Sequence, residues 1–214
     1  MDTAQQVAQA LLTIGAVGFV PEKPLTFKSG IVSPVYVDNR KFPFHPNEWK
    51  GVIKGFAHTI KHESIKADVI AGVEAAGIPH SAALGFFMGT PSVFVRKQAK
   101  DHGTKKLVEG GQVAGKHVVL IEDLVTTGGS SLASIAALRA EGAIAEQCLV
   151  IVTYGFGEAE EAFRNANVRL HSLTNFSTIL TEAEKSGALS TENKKVVENF
   201  LTDPHGWGAK RGLS

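Results

Sequence analysis

Two adjacent carboxylates, Glu122 and Asp123, stand between a short apolar run at 118–121 and the segment Thr126-Thr127-Gly128-Gly129-Ser130. A buried strand that ends in acids and turns through small hydroxyl and glycine residues into a helix can seat an anion. Backbone N–H groups converge on the anion there, and the helix dipole favours it. Two neighbouring carboxylates repel each other unless ligand hydroxyls or a cation occupy them. Acids and loop together describe a seat for a sugar phosphate, with hydroxyls on the acids and phosphate in the loop. Thr-Gly-Gly-Ser alone can also be no more than a tight turn with an N-cap; the paired acids lower that reading sharply. The nucleotide pattern GxxxxGK[ST] and the dinucleotide pattern GxGxxG are absent, and Gly155-Phe156-Gly157 reads as a turn.

A second cluster is cationic. Residues 96–106 read RKQAKDHGTKK, in which Arg96, Lys97, Lys100, Lys105 and Lys106 face one acid, Asp101, for a net +4, with His102 in addition. A charge run is usually a solvated surface. From 97 to about 115, however, no apolar periodicity appears, and loops of such length are functional lids or disordered segments. A mobile cationic lid over 97–111 suits a diphosphate leaving group: its charge stabilises the anion, and its closure keeps water from a reactive sugar carbon.

The whole chain hides this division of charge. It has 214 residues and a net charge of +1, which argues against a coat for nucleic acid or another polyanion. The lone Cys148 excludes an internal disulfide and a multi-cysteine zinc site. No apolar run approaches about 18 residues, and the N-terminus lacks a basic, signal-like start. The expectation is a single soluble domain of a reducing compartment, the cytoplasm, with no membrane or nucleic-acid partner.

The elements that must position these clusters follow from apolar spacing. Helices are expected at 3–15, 47–61 (capped by Asn47), 78–89, 129–141, 158–165, 177–186 and 191–201, and short apolar strands at 69–73, 92–95, 118–121, 149–153 and 168–173. Residues 21–46 read as extended strand and loop, and 203–214 as a polar end. Short strands that are apolar throughout and alternate with helices indicate a mostly parallel sheet covered on both faces. Ligands bind such sheets outside the carboxyl ends of the strands. Both charged clusters fall there.

The run from Val119 to Ser131 resembles the phosphoribosyl diphosphate (PRPP) motif of type I phosphoribosyltransferases. RKxxKDHG resembles the catalytic loop of the orotate phosphoribosyltransferases, and LTFKSGIVSPVYVDNR, at 25–40, their N-terminal segment. GVEAAGIP, at 72–79, resembles the family's diphosphate loop. It carries Ala75-Ala76 where members from enteric bacteria and animals have Tyr-Lys, and Val152-Thr153-Tyr154-Gly155 replaces their D-R-x-x-G stretch. These variants look like the Gram-positive-type branch.

The resemblance implies a type I phosphoribosyltransferase-like α/β fold, with an N-terminal hood over about 1–45 and a PRPP-binding core over about 65–175. It implies Mg2+-dependent transfer of phosphoribose from PRPP to orotate in pyrimidine biosynthesis, and a homodimer whose basic loop is shared across subunits. Lys100, His102 and Asp123 would be catalytic. Arg96, Lys97, Lys100 and His102 would contact the diphosphate, Glu122 and Asp123 the ribose, and Leu124, Val125, Thr126, Thr127, Gly128, Gly129 and Ser130 the 5′-phosphate. Thr126, Lys28 and Arg40 would hold orotate, and no protein residue is assigned to the metal. The alternatives are a phosphoribosyltransferase for a purine base and a non-catalytic PRPP-sensing regulator.

Overall fold

The computed structural model describes residues 2–27, 29–98 and 106–213. Helix α1 (Thr3–Thr13) starts where the Asp2 carboxylate accepts the Gln5 N–H at 2.8 Å, and it buries Val7, Ala8 and Leu11. The chain then forms two small antiparallel ribbons. Strand β1 (Val17–Phe19) pairs with β4 (Val35–Val37), and β2 (Leu25–Thr26) pairs with β3 (Val32–Ser33). The stretch at 21–46 is thus not wholly extended: Asn39–Phe44 forms a 310 helix, which buries Asn39 and Phe42. The Asp38 side chain, accepting the Arg40 N–H, starts that turn.

Helix α2 (Pro46–His62) begins one residue before the expected Asn47 cap. Pro46, which has no N–H to satisfy, occupies its first turn, and His45 precedes it without a side-chain cap bond. The central sheet contains β5 (Val69–Val73), β6 (Ser92–Val95), β7 (Val108–Glu109), β8 (His117–Val125), β9 (Ile144–Thr153) and β10 (Arg169–Asn175). Their spatial order is β10-β9-β8-β5-β6-β7, parallel except for β7 against β6.

Helices α3 (Gly77–Met88), α4 (Gly129–Ala140), α5 (Gly157–Asn165), α6 (Phe176–Lys185) and α7 (Thr191–Thr202) complete the fold. Alternation along β8 divides the core: Val119 and Ile121 join the apolar cluster of α1, α2, α6 and α7, while Val118 and Leu120 join that of α4 and α5. Each fully buried Leu or Ile contributes about 1.5–3 kcal/mol. Gly77 brings α3 close to β8, because a Cβ there would lie 2.5 Å from the Ile121 carbonyl oxygen.

Three further expectations change. Strand β7 lies inside the stretch read as a long loop: Val95 pairs with Val108 and Phe94 with Glu109, so the expected lid at 97–111 is closed off by a paired strand at its far end. Two residues are too few to show a period in sequence. Strand β9 starts at Ile144 rather than 149, because exposed Ile144 and Glu146 alternate with buried Ala145. The polar end buries Trp207 edge-on against Phe200, their ring centroids 5.8 Å apart.

Candidate functional site

From β5 the chain crosses through α3 to β6 on one side, whereas β8 and β9 lie on the other. The order reverses between β5 and β8, and such a crevice outside the carboxyl ends is where ligands bind open α/β sheets. Glu122 and Asp123 lie near the carboxyl end of β8, within the strand rather than beyond it.

Glu122 is 4% exposed. Its Oε1 accepts the Asp123 N–H at 3.1 Å, and its Oε2 accepts the Ser130 and Ser131 hydroxyls at 3.1 and 3.5 Å. Burial first, then the neighbouring Asp123 carboxyl, pushes the Glu122 carboxyl above its usual range. Burial also raises Asp123, while its hydrogen bonds and the Arg40 charge act the other way. The two acids titrate as a pair. Ligand hydroxyls or a cation would relieve the repulsion between them.

The strand leads directly into the anion loop. Gly128 holds φ +84°, and a Cβ there would stand 2.7 Å from the Phe163 ring on α5, so both backbone and space demand glycine. No side chain caps α4 at Gly128. The N–H groups of its first turn therefore face the crevice end of the sheet as donors. Ser130 departs from the simple reading, since its hydroxyl is already engaged by Glu122. Leu124 and Val125 turn their side chains into the two cores, which leaves only their backbone for a ligand.

The basic segment starts at the end of β6, next to β5. The Arg96 N–H bonds the Leu107 carbonyl at 2.9 Å, and its guanidinium lies 3.7 Å from Glu109. The Lys97 N–H donates to Glu74 Oε2 at 2.8 Å, tying the loops after β5 and β6 together. Lys28, Lys100 and His102 lie outside the described residues. Arg40 is largely exposed and pairs with Asp38 at 2.6 Å.

Sequence reasoning missed Asn39. Fully buried, it donates through Nδ2 to the Asp123 carbonyl at 2.8 Å, a contact across 84 residues that no local signal marks.

Among the described residues, no group of three or more His, Cys, Asp or Glu side chains is arranged to hold a metal ion. Two adjacent carboxylates nonetheless suit a hard cation that keeps most of its waters and takes further oxygens from a substrate. A cavity of about 690 Å3 between α5 and β10, lined by Arg164, Arg169 and Glu160, lies apart from both acids.

The phosphoribosyl transferase domain model matches residues 44–182. A curated relative, the orotate phosphoribosyltransferase of Streptococcus sanguinis, is 40% identical over 98% of this chain and 100% of its own length. The crystal structure of orotate phosphoribosyltransferase from Aeropyrum pernix superposes with a TM-score of 0.74 at 31% identity, over 86% of this chain and 99% of that one. Leishmania donovani UMP synthase gives 0.82 at 28% identity over 93% of this chain, which spans 42% of that longer protein.

Proposed function

The chain belongs to the orotate phosphoribosyltransferases, within the phosphoribosyl transferase domain family, and we propose how its own residues carry that reaction. Phosphoribose passes from PRPP to orotate: a ring nitrogen of orotate bonds to ribose C1 and loses its proton as the bond from C1 to the diphosphate oxygen breaks. The products are orotidine 5′-monophosphate and diphosphate. The observation that carries the assignment of roles is the pair of buried Glu122 and partly buried Asp123, running directly into the uncapped α4 N-terminus at the switch point.

In this reading Glu122 and Asp123 accept the ribose hydroxyls. The backbone from Leu124 to Ser130, with the Thr126 and Thr127 hydroxyls, surrounds the 5′-phosphate. Asp123 stands near the carbon that gains positive charge as diphosphate departs, so its carboxylate favours the transition state electrostatically. Arg96, Lys97, Lys100 and His102 neutralise the leaving diphosphate, with Lys100 and His102 acting catalytically. Thr126, Lys28 and Arg40 hold orotate beneath the N-terminal hood. Mg2+, held chiefly by substrate oxygens and water, would neutralise phosphate charge.

The proposal includes a homodimer that shares the basic loop. Supporting it, α3 exposes Phe86 at 93% and Phe87 at 52%, and the 39–44 helix exposes Phe44 at 85%, large apolar side chains that a partner surface would cover. It also includes a cytoplasmic location, supported by the unpaired, buried Cys148.

The test is diphosphate release from PRPP with Mg2+ present, adding orotate or a purine base in turn. Release that depends on orotate supports the proposal. Release with purines alone, or PRPP binding with no turnover, overturns it.

A further inference from the structure

The β5–β8 pairing stops at Gly72 opposite Ile121, one residue short of the acids. Beyond that point the Asp123 carbonyl is held by a side chain, the Asn39 amide, at 2.8 Å. Asn39 is fully buried, and among the described residues its Oδ1 has no hydrogen-bond partner. A buried, unsatisfied acceptor is costly, and packing alone would be served better by an apolar side chain of the same size. A polar group kept under such a cost points to a role beyond packing.

The segment that presents Asn39 is fixed from both sides. Asp38 Oδ1 accepts from Arg40 Nε at 2.6 Å, and Lys41 Nζ donates to the Gly15 carbonyl at 2.6 Å. Phe42 is fully buried and meets the His80 ring edge-on, centroids 6.4 Å apart. A donor on so firm a base can fix the peptide plane it touches.

We propose that Asn39 is a positioning residue for transfer: by holding the Asp123 carbonyl it sets the direction in which Asp123 presents its carboxylate to the ribose. The inference rests on the reading that Asp123 meets the sugar. It separates from a packing role because a carboxylate slightly misdirected costs turnover more than it costs affinity.

Two variants test it. Asn39→Leu keeps the size while removing the donor and the unsatisfied acceptor; the loss of Oδ1 offsets part of the cost of the Asp123 carbonyl left without its donor, so the melting temperature should fall by only a few degrees. Its kcat should fall about 10- to 100-fold, with KM for PRPP and for orotate changing less than about threefold. Asn39→Asp keeps the shape but turns an acceptor toward the carbonyl, and its kcat should fall at least as far. Wild-type kcat in the Leu variant overturns the inference, as does a loss confined to KM. If the Leu variant fails to fold, the Asp variant decides in the same way. A wild-type chain that releases no diphosphate with orotate overturns the functional reading and this inference with it; a normal wild type beside a normal Leu variant overturns the inference alone.

Discussion

The carboxylates at the end of β8 and those on the C-terminal helices are treated in opposite ways. Glu184 on α6 accepts from Lys194 Nζ at 2.7 Å and Thr191 Oγ1 at 2.9 Å, and these bonds hold its carboxyl below the usual range. Asp203 is held down similarly by Lys210 Nζ at 2.6 Å and the Gly206 N–H at 3.0 Å. Glu122 and Asp123 are instead buried beside each other, and both are raised. The helices use carboxylates to complete themselves. The strand end keeps two acids whose charge the protein alone does not balance, which is what a site needs if its ligand supplies the balance.

The sharpest way to break this comparison is to remove one charge from the strand end. Asp123→Asn should lower kcat about 100- to 1,000-fold in steady-state assays, the usual loss for a preorganised electrostatic group. Urea unfolding at neutral pH should show stability unchanged or slightly raised, because a carboxylate that burial disfavours is gone. A variant with normal turnover would place the acid pair outside the chemistry. Next in size is Gly128→Ala, which puts a side chain at φ +84° and 2.7 Å from Phe163. Overpacking there should cost about 1–3 kcal/mol by urea midpoint, and turnover should fall because the anion loop shifts.

How far the sequence could show these things depended on how local they were. The acid pair, its loop and the apolar run before it occupy thirteen consecutive residues, 118–130, so one window contains strand, charge and turn. The α/β alternation was equally readable, because β5, most of β6 and the middles of β8 and β9 are apolar residue after residue. Asn39 was not, since its meaning lies in a carbonyl 84 residues away. Nor was β7, whose two residues gain their strand character only from pairing with β6. Trp207 sat in a run of polar and glycine residues, and its burial comes from packing against Phe200 on α7 and under the Arg211 guanidinium. Local chemistry was legible; contacts made by the return of the chain were not.

A smaller effect sharpens the same contrast through pH. Glu122 has a folded pKa above its unfolded value, so its contribution to stability is fully present below the unfolded value and is lost as pH rises through the folded one. Glu184 and Asp203, with lowered folded values, contribute stability that is present above their unfolded values and lost as pH falls through the folded ones. Glu122→Gln removes the first term and leaves the second. Between about pH 5 and about pH 8 the wild-type urea midpoint should decline relative to that of the Gln variant. Parallel curves would mean that Glu122 is not raised.

The smallest effect is expected where the carboxylates are satisfied. Lys194→Met removes the cation that Glu184 holds at 2.7 Å, on a surface where Glu184 stays about one-third exposed. Water can replace the lysine there, and exposed pairs contribute little. The melting temperature should move by no more than about two degrees. The shift should shrink further in high salt, which screens exposed charges. Neither kcat nor either KM should change, because the ion pairs of Lys194 with Glu184 and Glu198 involve neither the acid pair nor the anion loop. A loss of turnover in this variant, comparable to that of Asp123→Asn, would erase the distinction between the two regions: the paired carboxylates would then be tied to the chemistry as firmly as the unbalanced ones.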